Sequence, residues 1–309
     1  MIEQKIKRFV AWGHKLHSHT HSYIHGAFIR AFQHLGYPTL WLDKDDDISG
    51  IDFEDSLFLT EGQVSQHIPA LPSCYYILHN EQHPEHFSSV PNSHKLVLQV
   101  FTNHVAQRTT KKCLAPFVYQ ELGGNGLSMP WATDLLPHEI DENINQLDTI
   151  VPVSPPELNF VGMHTHPWEL VSNYCKTHGI KYKQIGGFSK SNVDLADNVT
   201  LIKQSIIAPA LQENWQVENK YIPCRIFKNI SYGKMGMTNS EIVYHLFQDK
   251  ILYSPHVNQL MDMGLEFESH SMEYKKEKMI PLMEFVRDHH TYLNRIQAIF
   301  YCFNDINSE

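Results

Sequence analysis

The chain has 309 residues, enough for about two compact domains, and its 42% hydrophobic and 11% aromatic content suits a protein that buries a large core without staples. That composition excludes collagen, a coiled coil and a disordered chain. Thirty-four Asp and Glu against 25 Lys and Arg give a formal net charge of -9 with His neutral, a field that opposes broad nucleic-acid binding yet leaves room for a local cationic nucleotide site.

Five dispersed cysteines, Cys74, Cys113, Cys175, Cys224 and Cys302, have no CxxC spacing and read as reduced thiols. No apolar run approaches the roughly 18 to 20 residues of a membrane helix, and the apolar part of MIEQKIKRFVAWG is too short for a signal peptide. The expectation is a cytoplasmic chain with no transmembrane segment, free or peripheral at a membrane. Sequons begin at Asn198 and Asn229 and matter only outside that compartment.

In chain order, RFVAWG reads as a short buried strand ending at Gly13. The spacing of Tyr23, Ala27, Phe28, Ala31, Phe32 and Leu35 predicts a helix closed by Gly36-Tyr37-Pro38, and TLWLD at 39–43 predicts the next strand. Strand, helix and strand within about 35 residues make a βαβ unit and hence a parallel sheet. SLFLTEG at 56–62, CYYILHN at 74–80 and KLVLQVF at 95–101 continue it, and their carboxyl ends make Gly13, Glu61, His79 and Asn80 ligand candidates by position.

From 114 to 140 the glycines and prolines predict irregular chain, with MPWATDLLP at 129–137 as the start of a linker running to 156. A second half opens with a strand at LNFVGM, followed by a helix over about 168–177 and a strand at IKYKQIGG. A helical region is expected to start near Leu201 and run to Leu211; RIFKNISYG and NSEIVYHLF read as two further helices, KILYS as a final strand, and 256–303 as mostly helical. The expected divisions are 1–128, 129–156, 157–278 and a helical 279–309 that packs back on the first domain.

The 21 histidines are conspicuous. GHKLHSHTHSYIH places His14, His17, His19, His21 and His25 after the first strand, where imidazoles bind a metal, serve as bases or bind oxygen-rich ligands, or are simply loop histidines and a helix cap. His21 and His25 share a face if the helix already includes 21. With no HExxH and no nearby carboxylate pair, no metal site is expected. Asp43 to Asp47 read as a solvent turn rather than a cation site. HTHPWE puts His164 at the corresponding place in the second half, beside a helix start that offers amides to an anion or merely caps itself.

In IPCRIFKNISYGKMGMTNSEIV, Arg225 and Lys228 stand three apart on one helical face and can neutralise a diphosphate; Gly233 and Gly236 allow close approach, and Thr238, Asn239 and Ser240 add donors. The plain alternative is a helix end stabilised by Lys228, a glycine turn and a cap. The segment is neither a GxxxxGK[ST] loop nor a GxGxxG fingerprint.

YIPCRIFKNISYGKMGMTNSEIV, with MPWATDLLPHEI and the N-terminal HTHSYIHGAFIRAFQHLGY, resembles nucleotide-sugar glycosyltransferases of the GT-B fold. The resemblance implies an α/β chain of two Rossmann-like parallel-sheet domains facing a central cleft, the first receiving a glycan, lipid-linked or protein acceptor and the second the nucleoside-diphosphate sugar. Arg225 and Lys228 map onto the basic helix pair, and Tyr232, Gly233, Thr238, Asn239 and Ser240 onto the following loop, with Gly13 and His164 as further ligand contacts. Lys228 stands where the broader pattern often has an acidic residue, and the paired glutamates of many retaining members are absent. The implied reaction needs no cofactor besides its donor; Arg225 and Lys228 stabilise the departing diphosphate, and His17, His19 or His21 is the base if the transfer inverts, or serves acceptor binding alone if it retains. A sugar-nucleotide epimerase or hydrolase, and a noncatalytic glycan or nucleotide binder, are the competing expectations.

Overall fold

A computed structural model describes residues 1–15, 20–101, 111–186 and 193–308. The protein is α/β, with twelve strands and ten α-helices among the described residues. The chain divides into two compact units, Met1–Pro130 together with Tyr292–Glu309, and Trp131–Thr291.

The first unit is built on an eight-stranded sheet. Its β1 (Arg8–Trp12), β2 (Thr39–Leu42), β3 (Ser56–Glu61), β4 (Tyr75–His79) and β5 (Lys95–Gln99) are parallel and lie in the order β2-β1-β3-β4-β5. β3 and β4 are buried along their whole length, which is why they read as unbroken apolar runs. The helix α1 (Thr20–His34) connects β1 to β2 and buries Ile24, Ala27, Phe28, Ala31 and Phe32, the i, i+3, i+4 stripe seen in the sequence. It ends where Gly36 adopts φ 85° and Tyr37 N–H reaches back to Phe32 O at 3.0 Å. Phe32 stacks on Phe9 of β1 at 4.1 Å between centroids. The last helix of the chain, Tyr292–Ile306, belongs to this unit: Tyr292 packs on Phe28, Phe300 on Phe32 and Phe303 on Tyr75.

The irregular chain expected over 114–140 is largely ordered. Three short strands, β6 (Lys111–Ala115), β7 (Val118–Glu121) and β8 (Gly126–Ser128), complete the sheet; β6–β7 and β7–β8 are antiparallel, and β8 joins β5 in parallel. Residues 137–145, inside the stretch read as linker, form the helix α2 (Pro137–Asn145) of the second unit.

In the second unit β9 (Glu157–Val161) is followed by α3 (His166–Thr177) and the parallel β10 (Lys181–Ile185), as the βαβ pattern predicts. Next comes α4 (Leu195–Gln204), capped by the Asp194 carboxylate accepting from Asp197 N–H at 2.8 Å. The helix expected from Leu201 to Leu211 is therefore shorter and earlier, ending at Gln204, and the chain bends at 205–206. Ile206 N–H donates to Glu157 O and Ala210 N–H to Met237 O, both at 2.8 Å, so this stretch links β9 to the pair β11 (Met237–Thr238) and β12 (Leu252–Tyr253). The helices α5 (Asn214–Glu218), α6 (Cys224–Ser231), α7 (Glu241–Leu246), α8 (Val257–Ser269) and α9 (Met272–His289) complete the unit, and the last helix is α10. Its core gathers Leu158, Phe160, Trp168, Val171, Leu211, Met237, Leu260 and Met261.

All five cysteines are free thiols. Both sequon asparagines are buried, and the Asn229 Nδ2 donates to Ala208 O at 2.7 Å. Among the described residues no helix is long and apolar enough to cross a membrane.

Candidate functional site

Open parallel sheets place ligands at the carboxyl ends of strands flanking the point where strand order reverses. In the first unit that point lies between β1 and β3. Gly13 follows β1 with φ 85°, and a Cβ on it would lie 2.3 Å from Val64 Cγ2. Gly62 follows β3, donates its N–H to His79 O at 2.9 Å, and has no room for a side chain because its Cβ would meet Asn80 O at 1.8 Å. The two glycines let the loops after β1, β3 and β4 close on one another.

His14, Glu61, His21 and His79 converge there. His14, itself at φ 54°, donates from Nε2 to Glu61 Oε2 at 3.2 Å, and the two side chains are only 9% and 4% exposed. Glu61 Oε2 also accepts Gln63 N–H at 3.1 Å. Burial works to raise the Glu61 carboxyl, but the His14 hydrogen bond and the Gln63 amide outweigh it and hold it below the usual carboxylate value. His21, near the start of α1, has Nε2 3.2 Å from Nδ1 of His79. His79 is pushed down to about 4 by burial, against the pull of Glu61. One turn on, His25 Nδ1 donates to Gly13 O at 3.0 Å, a carbonyl that also accepts Trp41 Nε1–H. Burial lowers His25 to about 3, so at neutral pH it is an uncharged ring that fixes the glycine turn. Ser22 Oγ donates to His14 O at 2.6 Å and pins the next link.

Of the expected base candidates, His21 is in this cluster, and His17 and His19 lie outside the described residues. The carboxylate that the His-rich segment lacks locally arrives from β3: Glu61 stands 47 residues from His14 in sequence. The acidic run closes as a turn, with Asp43 N–H donating to Asp46 Oδ2 at 2.7 Å and Lys15 Nζ on Asp46 at 2.8 Å.

In the second unit the carboxyl ends of β9 and β10 carry Gly162 at φ 149° and Gly186 at φ 83°. Gln184 Nε2 donates to the carbonyl oxygens of both, at 2.7 and 2.9 Å. Arg225, at the start of α6, lies against this end. Its guanidinium carbon is 4.6 Å from the Phe160 ring centre and 5.5 Å from that of Trp168, two rings that stack at 3.5 Å, and its Nη2 donates to Val161 O at 3.1 Å. A Cβ on Gly162 would sit 2.6 Å from that Nη2. Burial lowers the Arg225 pKa, with the Cys224, Tyr221 and Tyr182 side chains nearby working against it.

Lys228 shares the helix but not this place. Its Nζ is 2.6 Å from Asp134 Oδ2, and Asp134 Oδ1 accepts the Tyr232 hydroxyl at 2.5 Å. Gly233, φ 88°, turns against Ile150 and Leu147, where a Cβ would clash at 2.6 Å. Thr238 and Ser240 are buried, and Thr238 Oγ1 accepts Ser240 N–H at 3.1 Å. Asn239 clasps Gln212, accepting its N–H at 2.9 Å and donating to its O at 2.8 Å, while Gln212 Nε2 donates to the carbonyl of Tyr221 at 2.7 Å. The 238–240 loop is thus tied through Gln212 to Tyr221, a neighbour of Arg225. His164 is exposed, edge-on to Tyr182 at 6.2 Å.

A scan against models of known protein families gave no match, and a search of curated proteins gave none.

Proposed function

We propose that the protein is a nucleotide-sugar glycosyltransferase of GT-B plan, whose second unit holds the donor diphosphate at Arg225. The observation that carries this reading is a guanidinium that makes no ion pair with a carboxylate among the described residues, stacked on Phe160 and aimed at glycine-lined strand ends. A partly buried guanidinium stacked on aromatic rings is complemented by an anionic ligand. The parallel β9–α3–β10 arrangement supports a Rossmann-like reading of this unit.

In a displacement at the sugar, Arg225 stabilises the charge that develops on the departing diphosphate, with Thr238, Asn239 and Ser240 shaping the wall beside it. In the first unit, a His14 imidazole oriented by Glu61 has the form of a general base, with His21 beside it. Lys228 acts on this site through α6, since its charge is already matched by Asp134.

The test is ligand-detected binding of UDP, GDP, ADP, CMP and dTDP and their common sugar conjugates, repeated on Arg225→Gln. A selective hit that weakens by about 2 kcal/mol or more in the folded variant is expected. Silence across the panel, or equal affinity in the variant, overturns the reading. Turnover of the donor without acceptor makes the protein a hydrolase or epimerase, and binding without turnover makes it a sensor.

A further inference from the structure

The cluster in the first unit has a second property. One ligand atom from each of His14, His21 and Glu61 lies within 4.8 Å of the others, and the His14 and Glu61 atoms are 3.2 Å apart. Two ligands bound at roughly 2.0 to 2.1 Å to a tetrahedral ion are separated by about 3.3 Å, so that edge already has coordination spacing, and the third ligand is one side-chain adjustment away.

We propose that His14, His21 and Glu61 form a binding site for a divalent transition ion of the zinc class. Two imidazoles and one carboxylate select against Mg²⁺ and Ca²⁺, which take oxygen ligands, and the absence of thiolate from the set selects against Cu(I). The three ligands found among the described residues match a catalytic rather than a structural zinc site, with a coordination position left for a further ligand.

The surroundings are built for such a site. Ligand imidazoles and carboxylates are held by further hydrogen bonds in metal centres. Here Gln63 N–H holds Glu61 Oε2, His21 Nε2 and His79 Nδ1 share a hydrogen bond at 3.2 Å, and Ser22 Oγ anchors the His14 carbonyl. His14 also keeps a left-handed φ of 54°, a conformation that costs energy in a residue with a Cβ and is concentrated at ligand clamps. The contributors come from three elements, the loop after β1, the start of α1 and the end of β3, so the site exists only in the folded chain.

The ion-binding claim is independent of the donor reading. Its use in transfer would rest on that reading: an acceptor hydroxyl at the open position would release its proton to solvent water more readily on the ion, with His14 as ligand instead of base.

The experiment is calorimetric titration of the metal-stripped full chain with Zn²⁺ and, separately, Mg²⁺, with visible absorption of the Co²⁺ complex as a report on ligand number. One saturable Zn²⁺ per chain at this site and no response to Mg²⁺ are expected, with at least a hundredfold weaker binding in Glu61→Gln and His21→Gln and no change in His166→Gln, an exposed histidine of the other unit. On the wild-type chain, Zn²⁺ should also shield His14 and His21 from diethyl pyrocarbonate, mapped by peptide mass, which keeps the test decisive if a variant fails to fold. Equal Zn²⁺ affinity in the two folded variants, or His14 and His21 modified as fast with Zn²⁺ as without, overturns the site. Arg225→Gln should bind Zn²⁺ like the wild type, so loss of nucleotide binding and loss of metal binding are separate outcomes.

Discussion

Lys228 and Asp134 form a buried ion pair 94 residues apart in sequence, N to O at 2.6 Å, with the Tyr232 hydroxyl on the second carboxylate oxygen. Removing one member leaves the other charge buried without a counterion, at a cost of about 3 to 5 kcal/mol. Lys228→Met and Asp134→Asn should each lower the melting temperature strongly, while the remaining folded protein binds nucleotide as before. A Lys228→Met protein with unchanged melting temperature and lost nucleotide affinity would instead place the lysine on the ligand.

Gly162 should be as sensitive as Arg225 itself. An alanine there is strained at φ 149° and drives its methyl into the space held by Arg225 Nη2, 2.6 Å away. Gly162→Ala is expected to weaken nucleotide binding about tenfold with a stability loss of only about 1 to 3 kcal/mol. Parallel binding and denaturant titrations check this, and unchanged affinity in the folded variant would remove Arg225 from the donor site.

The glycines of the first unit should differ in how they can be rescued. At Gly13 an alanine meets Val64 Cγ2, a side chain that can be trimmed, whereas at Gly62 it meets the Asn80 carbonyl oxygen, part of the backbone. Gly13→Ala should therefore regain part of its lost stability, about 1 to 3 kcal/mol, when combined with Val64→Ala. The residual loss reflects the positive φ. For Gly62→Ala no comparable side-chain trimming is open, and soluble expression is expected to fall; thermal melts of the four proteins decide it.

Lys234 gives a pH signature. It is almost wholly buried, its Nζ donating to Ser205 O, and burial lowers it to about 8, with Glu268 opposing and Lys275 adding to the shift. Between about pH 8 and 10.5 the unfolded chain holds a proton that the native lysine has released, so stability rises with pH across that window; below 8 both forms are protonated and the penalty is fully present. Lys234→Met should be more stable than wild type at pH 7, by up to about 3 kcal/mol, and lack this rise. Urea unfolding at pH 7, 8, 9 and 10 measures both.

The parallel part of the first unit was legible because strands buried on both faces are continuous apolar runs, as at Leu57–Leu59 and Tyr75–Leu78. β6 to β8 were not, since KKCLA and VYQE mix charge with partial burial and the Gly123–Gly126 stretch resembles a loop. For the site, position alone pointed to Gly13, Glu61 and His79, but the pairing of His14 with Glu61 depends on how two loops close, which no local spacing encodes. Helical spacing correctly puts Arg225 and Lys228 on one helix; it cannot tell that one head group finds aromatic rings and the other an aspartate.

The placement of α10 in the first unit constrains the order of events on the ribosome. The second unit is spliced into the first, and the Thr133–Thr291 bridge and the Thr133 N–H bond to His290 O draw its two ends together. A nascent chain that has reached Pro130 has made every strand of the large sheet, yet Phe28, Phe32 and Tyr75 still lack the Tyr292, Phe300 and Phe303 rings that cover them. The first half to be synthesised is thus the last to be sealed, and it must stay out of aggregates while the inserted unit is made.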